Sequence, residues 1–149
     1  MAEYTRTDIK TLAPEIAPLL REHWSERHAH APKYALAPNL DAYCDAEERE
    51  TLGLYVARKS NKLVGYVIVF IVARPHANGE IVAVIDALFV LPEHRQQGTA
   101  TGLLKFAEQD LKARGANTMS VGANDPRIIR WLRMTGCYNY SETLLEKEL

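Results

Sequence analysis

The stretch Leu88-Phe89-Val90-Leu91-Pro92-Glu93-His94-Arg95-Gln96-Gln97-Gly98-Thr99-Ala100 passes from an apolar run, through a short turn, into a segment of helical period. Pro92 ends the strand because it has no ladder donor, and Gly98 admits the backbone angles a tight turn needs. From Thr101 to Arg114, Leu103, Leu104, Ala107 and Leu111 fall on one stripe together with Ala100, and Lys105, Glu108, Gln109 and Lys112 fall opposite. So short a connection puts the helix N-terminus at the end of the strand. A helix N-terminus has about four unpaired amide hydrogens and about half a positive charge, so it suits an anion. Gly98 and Ala100 leave the backbone open to approach, and Arg95 adds a cation. The amides of Gln96, Gln97, Gly98, Thr99 and Ala100 form the candidate cradle, although the same spacing also serves an ordinary strand-to-helix turn.

Upstream, Glu3 to Ile9 reads as a short strand, and a helix is expected to start at Pro14, with Ile16, Leu19, Leu20, His23 and Trp24 at helical spacing. Asn39 is placed to cap a second short helix bearing Leu40, Tyr43 and Cys44. Leu54 to Arg58, Leu63 to Ala73 and Ile81 to Val90 are rich in Val, Ile, Tyr and Phe, and turn residues separate them, which predicts an antiparallel meander. After Gly115 come a strand over Thr118 to Val121 and a helix opened by Asp125-Pro126, with Ile128, Trp131 and Leu132 as its expected buried face. Tyr138 to Leu149 has room for two more strands around Ser141 to Thr143. The expected architecture is α/β: a mostly antiparallel twisted sheet of six to seven strands, with about four helices on its two faces.

A length of 149 residues suits a single domain spanning 1–149, and 47% hydrophobic with 25% charged residues is ordinary for a globular chain. The 18 basic and 19 acidic residues nearly cancel, so nucleic acid is not the expected partner. Cys44 and Cys137 lack metal spacing and are expected to be reduced thiols, which points to the cytoplasm. His28 and His30 lack acidic or thiol neighbours, so no metal site is expected. Met1 to Lys10 is too polar for a signal peptide. Leu63 to Ala73 is about half the roughly 20 residues of a membrane helix, so no membrane association is expected.

With Val90-Leu91-Pro92 ahead of it, and with Arg95, Gly98 and Ala100 at their spacing, this segment resembles the acetyl-CoA signature of the GCN5-related N-acetyltransferase (GNAT) family. The element order from Glu3 to Leu149 is similar to that family's fold. There is a looser likeness, around Glu22-His23-Trp24 and Leu103 to Glu108, to small bacteriophage-encoded acetyltransferases. The resemblance implies acetyl-CoA as cosubstrate. It implies that backbone groups of Phe89, Val90 and Leu91 pair with the pantetheine arm, and that amides of Gln96 to Ala100 take the pyrophosphate. It also implies a polar contact to the pantetheine from Asn124.

Acyl transfer to an amine needs a base for the amine, stabilisation of a tetrahedral intermediate, and a proton for the departing thiolate. Asp86 is the one ionisable residue between Ile81 and Val90. It is the first candidate for a water-relayed base, with a purely structural role as the alternative; Glu80 and His76 are further candidates. The family often places a proton-donating Tyr four residues before a Gly-Phe pair. Here that count falls on Leu132 and the pair reads Gly136-Cys137, so Tyr138, Tyr140 or solvent remain as donors. The expected activity is acetylation of an amine on a small molecule, peptide or protein by a monomer or homodimer. The alternative is a coenzyme A-binding interaction or regulatory module with weak transfer. The loops His28 to Pro38 and Arg74 to Gly79 are expected to choose the acceptor.

Overall fold

A computed structural model describes residues 1–27, 35–123, 125–136, 138, 139 and 147 of the chain. The expected strands around Ser141 to Thr143 lie outside the described residues, as do Asn124, Cys137 and Tyr140. Five strands, β1 (Glu3–Thr7), β2 (Leu52–Lys59), β3 (Lys62–Arg74), β4 (Glu80–Val90) and β5 (Thr118–Val121), form one sheet in chain order. The described residues thus supply five strands toward the six to seven expected. The first four strands pair antiparallel, and β5 runs parallel to β4 after a helical crossover.

Four α-helices cover the sheet: α1 (Ile9–Arg27), α2 (Leu40–Glu48), α3 (Thr99–Ala113) and α4 (Pro126–Thr135). Helix α1 starts five residues before the expected Pro14, because Asp8 caps it. Thr11 donates its N–H (2.8 Å) and its hydroxyl (2.7 Å) to the Asp8 carboxylate. Pro14 and Pro18 therefore lie inside the helix, where their missing N–H groups leave the carbonyls of Lys10 and Pro14 without the usual donor. Asn39 caps α2 by accepting the Ala42 N–H at 3.1 Å, and Asp125 caps α4 by accepting that of Arg127 at 2.8 Å. On α4, Leu132 is buried and Trp131 packs half-buried against the same core, as expected, whereas Ile128, expected inside, is exposed and Ile129 is half-buried instead.

Alternation along the strands divides the core in two. Tyr55, Ala57, Val67, Val69, Ala83 and Ile85 meet Leu103, Leu104, Ala107 and Leu111 of α3 and Leu132 of α4. Leu52, Leu54, Val56, Tyr66, Ile68 and Phe89 meet Ile9, Leu12, Ile16 and Leu19 of α1, with Tyr43 and Cys44 of α2 at the margin. No described helix is long and apolar enough to cross a membrane.

Leu103 is fully buried where α3 crosses the sheet. Leu103→Ala should lower the unfolding free energy by about 2–5 kcal/mol, through lost transfer energy and the cavity left behind. Urea denaturation reads this as a lower midpoint at unchanged slope.

Candidate active site

The site is built where β4 loses its neighbour. Strand β5 pairs with β4 only from Val82 to Ile85. Opposite, Ile68 pairs with Ala87 and Val69 with Ile85, so Asp86 is an extra residue, a bulge. The insertion reverses which face each later side chain takes. Ala83 and Ile85 belong to the α3 side of the core, whereas Ala87 and Phe89 belong to the α1 side. Beyond the bulge no described strand covers the outer edge of β4 up to Val90.

That edge presents backbone groups selectively. The N–H of Leu91 is bonded to the Val64 carbonyl at 2.9 Å, and Gly65 is opposite Val90. Successive residues of an antiparallel pair turn their N–H and C=O to opposite edges, so Leu91 and Phe89 face β3. Val90 and Leu88 face the open edge. Leu88 did not stand out in the sequence, because its availability depends on register.

At the end of β4 the chain makes a 3-10 turn over Pro92–His94 and reaches α3 through Gln96, at φ 53°, and Gly98, at φ 76°. Gly98 is the N-cap of α3 and so offers no side-chain acceptor. A Cβ built on Gly98 would meet nothing within 4 Å, so glycine is needed there for its backbone angle and the space in front is open. Among the described residues no protein acceptor bonds the N–H groups from Gln96 through Thr101, while Gly102 N–H bonds the Gly98 carbonyl at 2.9 Å. The next turn of the helix is closed and the first is unsatisfied. Thr99 is 2% exposed, and its Oγ1 has no partner among the described residues.

Arg95 does not extend toward these amides. Its guanidinium makes two 2.9 Å bonds to the Glu26 carboxylate of α1, its Nε donates to the Val90 carbonyl at 2.7 Å, and its Cζ lies 5.2 Å from the centre of the Phe89 ring. The expected free cation of the cradle is instead a clamp between α1 and the end of β4. His23, three residues before Glu26, stacks on the other partner of this clamp, with 4.9 Å between the His23 and Phe89 ring centres.

On the α1 side of the bulge, Asp86 shares its surroundings with Tyr66, Tyr43 and Arg27. Burial against the sheet pushes the Asp86 carboxyl above its ordinary 3.8, and the charge of Arg27 pulls the other way. Its surface is exposed, so the apolar walls raise it without sealing it from water. Tyr66 is fully buried and lies 2.7 Å from His23 Nδ1. Burial, then the negative charges nearby, raise its hydroxyl well above the usual range, so it stays protonated. The Tyr66 hydroxyl and His23 Nδ1 share a hydrogen bond that ties β3 to α1. Glu80 and His76 are at the far end of β4, with Glu80 3.6 Å from Arg74, about six residues or 20 Å along the strand from the bulge.

Tyr138 directs its hydroxyl to Glu108 of α3 at 3.4 Å. Burial and the Glu108 carboxylate both raise it above its ordinary 10. Leu132, at the place of the family's usual tyrosine, is buried in the core.

The sequence matches the Acetyltransferase (GNAT) family over residues 13–136. The chain belongs to that family. No curated protein matches it. Among solved structures, an aminoglycoside acetyltransferase from an uncultured soil metagenomic sample, in complex with sisomicin, superposes with a TM-score of 0.80 at 18% identity, covering 99% of this chain and 96% of that one. A predicted acetyltransferase with acetyl-CoA from Clostridium acetobutylicum gives 0.78 at 16% identity, covering 99% and 96%. The ribosomal-protein-alanine N-acetyltransferase from Brucella melitensis biovar Abortus 2308 gives 0.71 at 19%, covering 99% and 100%. The expected GNAT-like fold is therefore present, and the chain is an acetyltransferase.

Because the fold raises the Asp86 pKa, its ionised form is less welcome in this acetyltransferase than in the unfolded chain. The penalty is absent below the ordinary carboxylate range and grows as pH rises from about 4 through the folded-state value. Asp86→Asn should thus match the wild type in thermal stability at pH 3–4 and equal or exceed it at pH 7. Melting temperatures across that range check the sign.

Proposed function

We propose that this GNAT acetyltransferase binds acetyl-CoA along the open edge of β4 and transfers its acetyl group directly to an amine. The observation that carries the reading is the run of amides from Gln96 to Thr101 without acceptors among the described residues, at the foot of a strand edge that β5 has left. Oriented amides at a helix start suit a pyrophosphate, and the open edge suits an amide-bearing arm that can hydrogen-bond like a strand. The outward groups of Val90 and Leu88 are the candidates for that pairing, with the Val90 carbonyl shared with Arg95. Acetyl-CoA would supply the activated thioester. The contributions of Asn124 and Tyr140 remain part of this proposal.

In this reading Asp86 takes the amine's proton, directly or through one water. A carboxyl raised above its ordinary value is a better base than an unperturbed one, and its exposure leaves a route for the proton to solvent. Tyr138 is the weaker candidate for acid, because it is tied to Glu108 and its raised pKa opposes donation to a thiolate of pKa about 8.5. Protonation of the thiolate from solvent needs no side chain. The acceptor would enter from the α1–α2 side, where Tyr43, Tyr66 and Arg27 surround Asp86. The similar structures include enzymes named for an aminoglycoside and for a ribosomal protein, so small-molecule and polypeptide amines are both within reach of the fold.

Gly98→Glu should weaken acetyl-CoA binding at least tenfold by calorimetry, through a negative charge at the amides added to backbone strain at φ 76°. Gly98→Ala carries the strain alone and should cost less. Equal affinity for Gly98→Glu and wild type would overturn the assignment of the cradle. Asp86→Asn should lower kcat by about a hundredfold while leaving cofactor affinity within about twofold. Unchanged kcat would make Asp86 structural. Mass-spectrometric screening of amine panels and lysate for acetylated products identifies the acceptor.

A further inference from the structure

We propose that Lys59, at the end of β2, is the cation that receives a phosphate of the coenzyme tail, with Lys62 across the hairpin reinforcing the positive field. The inference rests on the coenzyme-binding reading above and adds to it a side chain that the cradle motif does not contain.

The arginines around the turn are already paired. Arg95, the motif's own cation, is closed by two bonds to Glu26 and one to the Val90 carbonyl. Arg58, next to Lys59, is closed by two bonds to Glu15 at 2.7 and 2.8 Å. Lys59 has no carboxylate partner among the described residues. Its ammonium contacts the side-chain carbonyl of Gln97, and Gln97 is itself held by donating to the Glu93 backbone carbonyl at 3.0 Å. The β2–β3 hairpin therefore lays an ammonium against the side chain of Gln97 in the cradle loop.

A neutral amide oxygen satisfies one of an ammonium's three donors and none of its charge. Lys59 is also directly opposite Lys62 in the β2–β3 register, and like charges facing each other across a strand pair are unfavourable unless an anion joins them. Glu93 is the nearest carboxylate in sequence to the cradle. Its side chain is exposed and forms no hydrogen bond or ion pair among the described residues, so it does not compete for Lys59. A phosphate in front of Gln97 to Thr99 would take the ammonium, the amides and the helix dipole together. The flexible lysine stem reaches either the pyrophosphate or the ribose 3'-phosphate.

The test is calorimetric titration of the full chain with coenzyme A and with dephospho-coenzyme A, at several salt concentrations. Lys59→Met should raise the Kd for coenzyme A about tenfold and flatten its salt dependence, and Lys59→Arg should restore most of both. If the loss persists with dephospho-coenzyme A, Lys59 serves the pyrophosphate; if it disappears, Lys59 serves the 3'-phosphate. Wild-type Kd and salt dependence in a folded Lys59→Met variant would overturn the proposal. A wild-type chain that binds neither compound would instead overturn the coenzyme-binding reading itself.

Discussion

One extra residue in β4 organises the site. A strand of even period would have sent Ala87 and Phe89 to the same face as Ala83 and Ile85, and nothing would have turned β4 from β5. With Asp86 inserted, the parity reverses, the parallel pairing stops at Ile85 and Val121, and the remaining half of β4 has a vacant hydrogen-bonding edge. The residue that creates the gap is also the one whose carboxyl is raised beside it. Geometry and chemistry at this position have a single cause, so a change that removed the bulge would take away the edge and displace the Asp86 carboxyl together.

The second constraint lies on the α1 side of the sheet. Glu26 holds Arg95, Arg95 covers Phe89, Phe89 stacks on His23, and His23 is hydrogen-bonded to Tyr66. Through Glu26 and His23 the C-terminal half of α1 is tied to β3, to the end of β4 and to the turn that leads into α3. An exposed ion pair alone would contribute little, about 0–1 kcal/mol. Here it is joined to a backbone hydrogen bond and a ring contact, which fix the angle at which the chain leaves β4. The entry to the cradle is thus positioned from the face where α1 and α2 flank Asp86.

Much of this architecture was legible in the sequence because it is local. Runs rich in Val, Ile, Tyr and Phe between turn residues marked β2, β3 and β4, a 3.6-residue stripe marked α3, and Asn39 and Asp125 marked the starts of α2 and α4. The start of α1 was not, because Pro14 carries a strong first-turn signal that Asp8, six residues earlier, overrides by capping. The bulge leaves no trace in composition apart from Asp86 itself, since one added residue in an apolar run does not change its character. Arg95 was expected at the phosphates because its sequence neighbours are cradle residues. Its partner Glu26 is 69 positions away, and no pattern within the motif reveals that pairing. The contact of Lys59 with Gln97, over 38 positions, was hidden for the same reason.

This division follows from what backbone and side chains each contribute. Amides at a helix start keep their direction whatever residues carry them, so a strand, a turn, a positive-φ glycine and a helix suffice to specify the cradle. Charge compensation is different, because a guanidinium that finds a carboxylate within the protein no longer serves a ligand, whichever motif it belongs to. In this chain Arg95 is tied to Glu26 and Arg58 to Glu15, which leaves Lys59 of the adjoining hairpin without a carboxylate partner among the described residues. The motif determines where an anion can sit, and the tertiary fold determines which cation meets it.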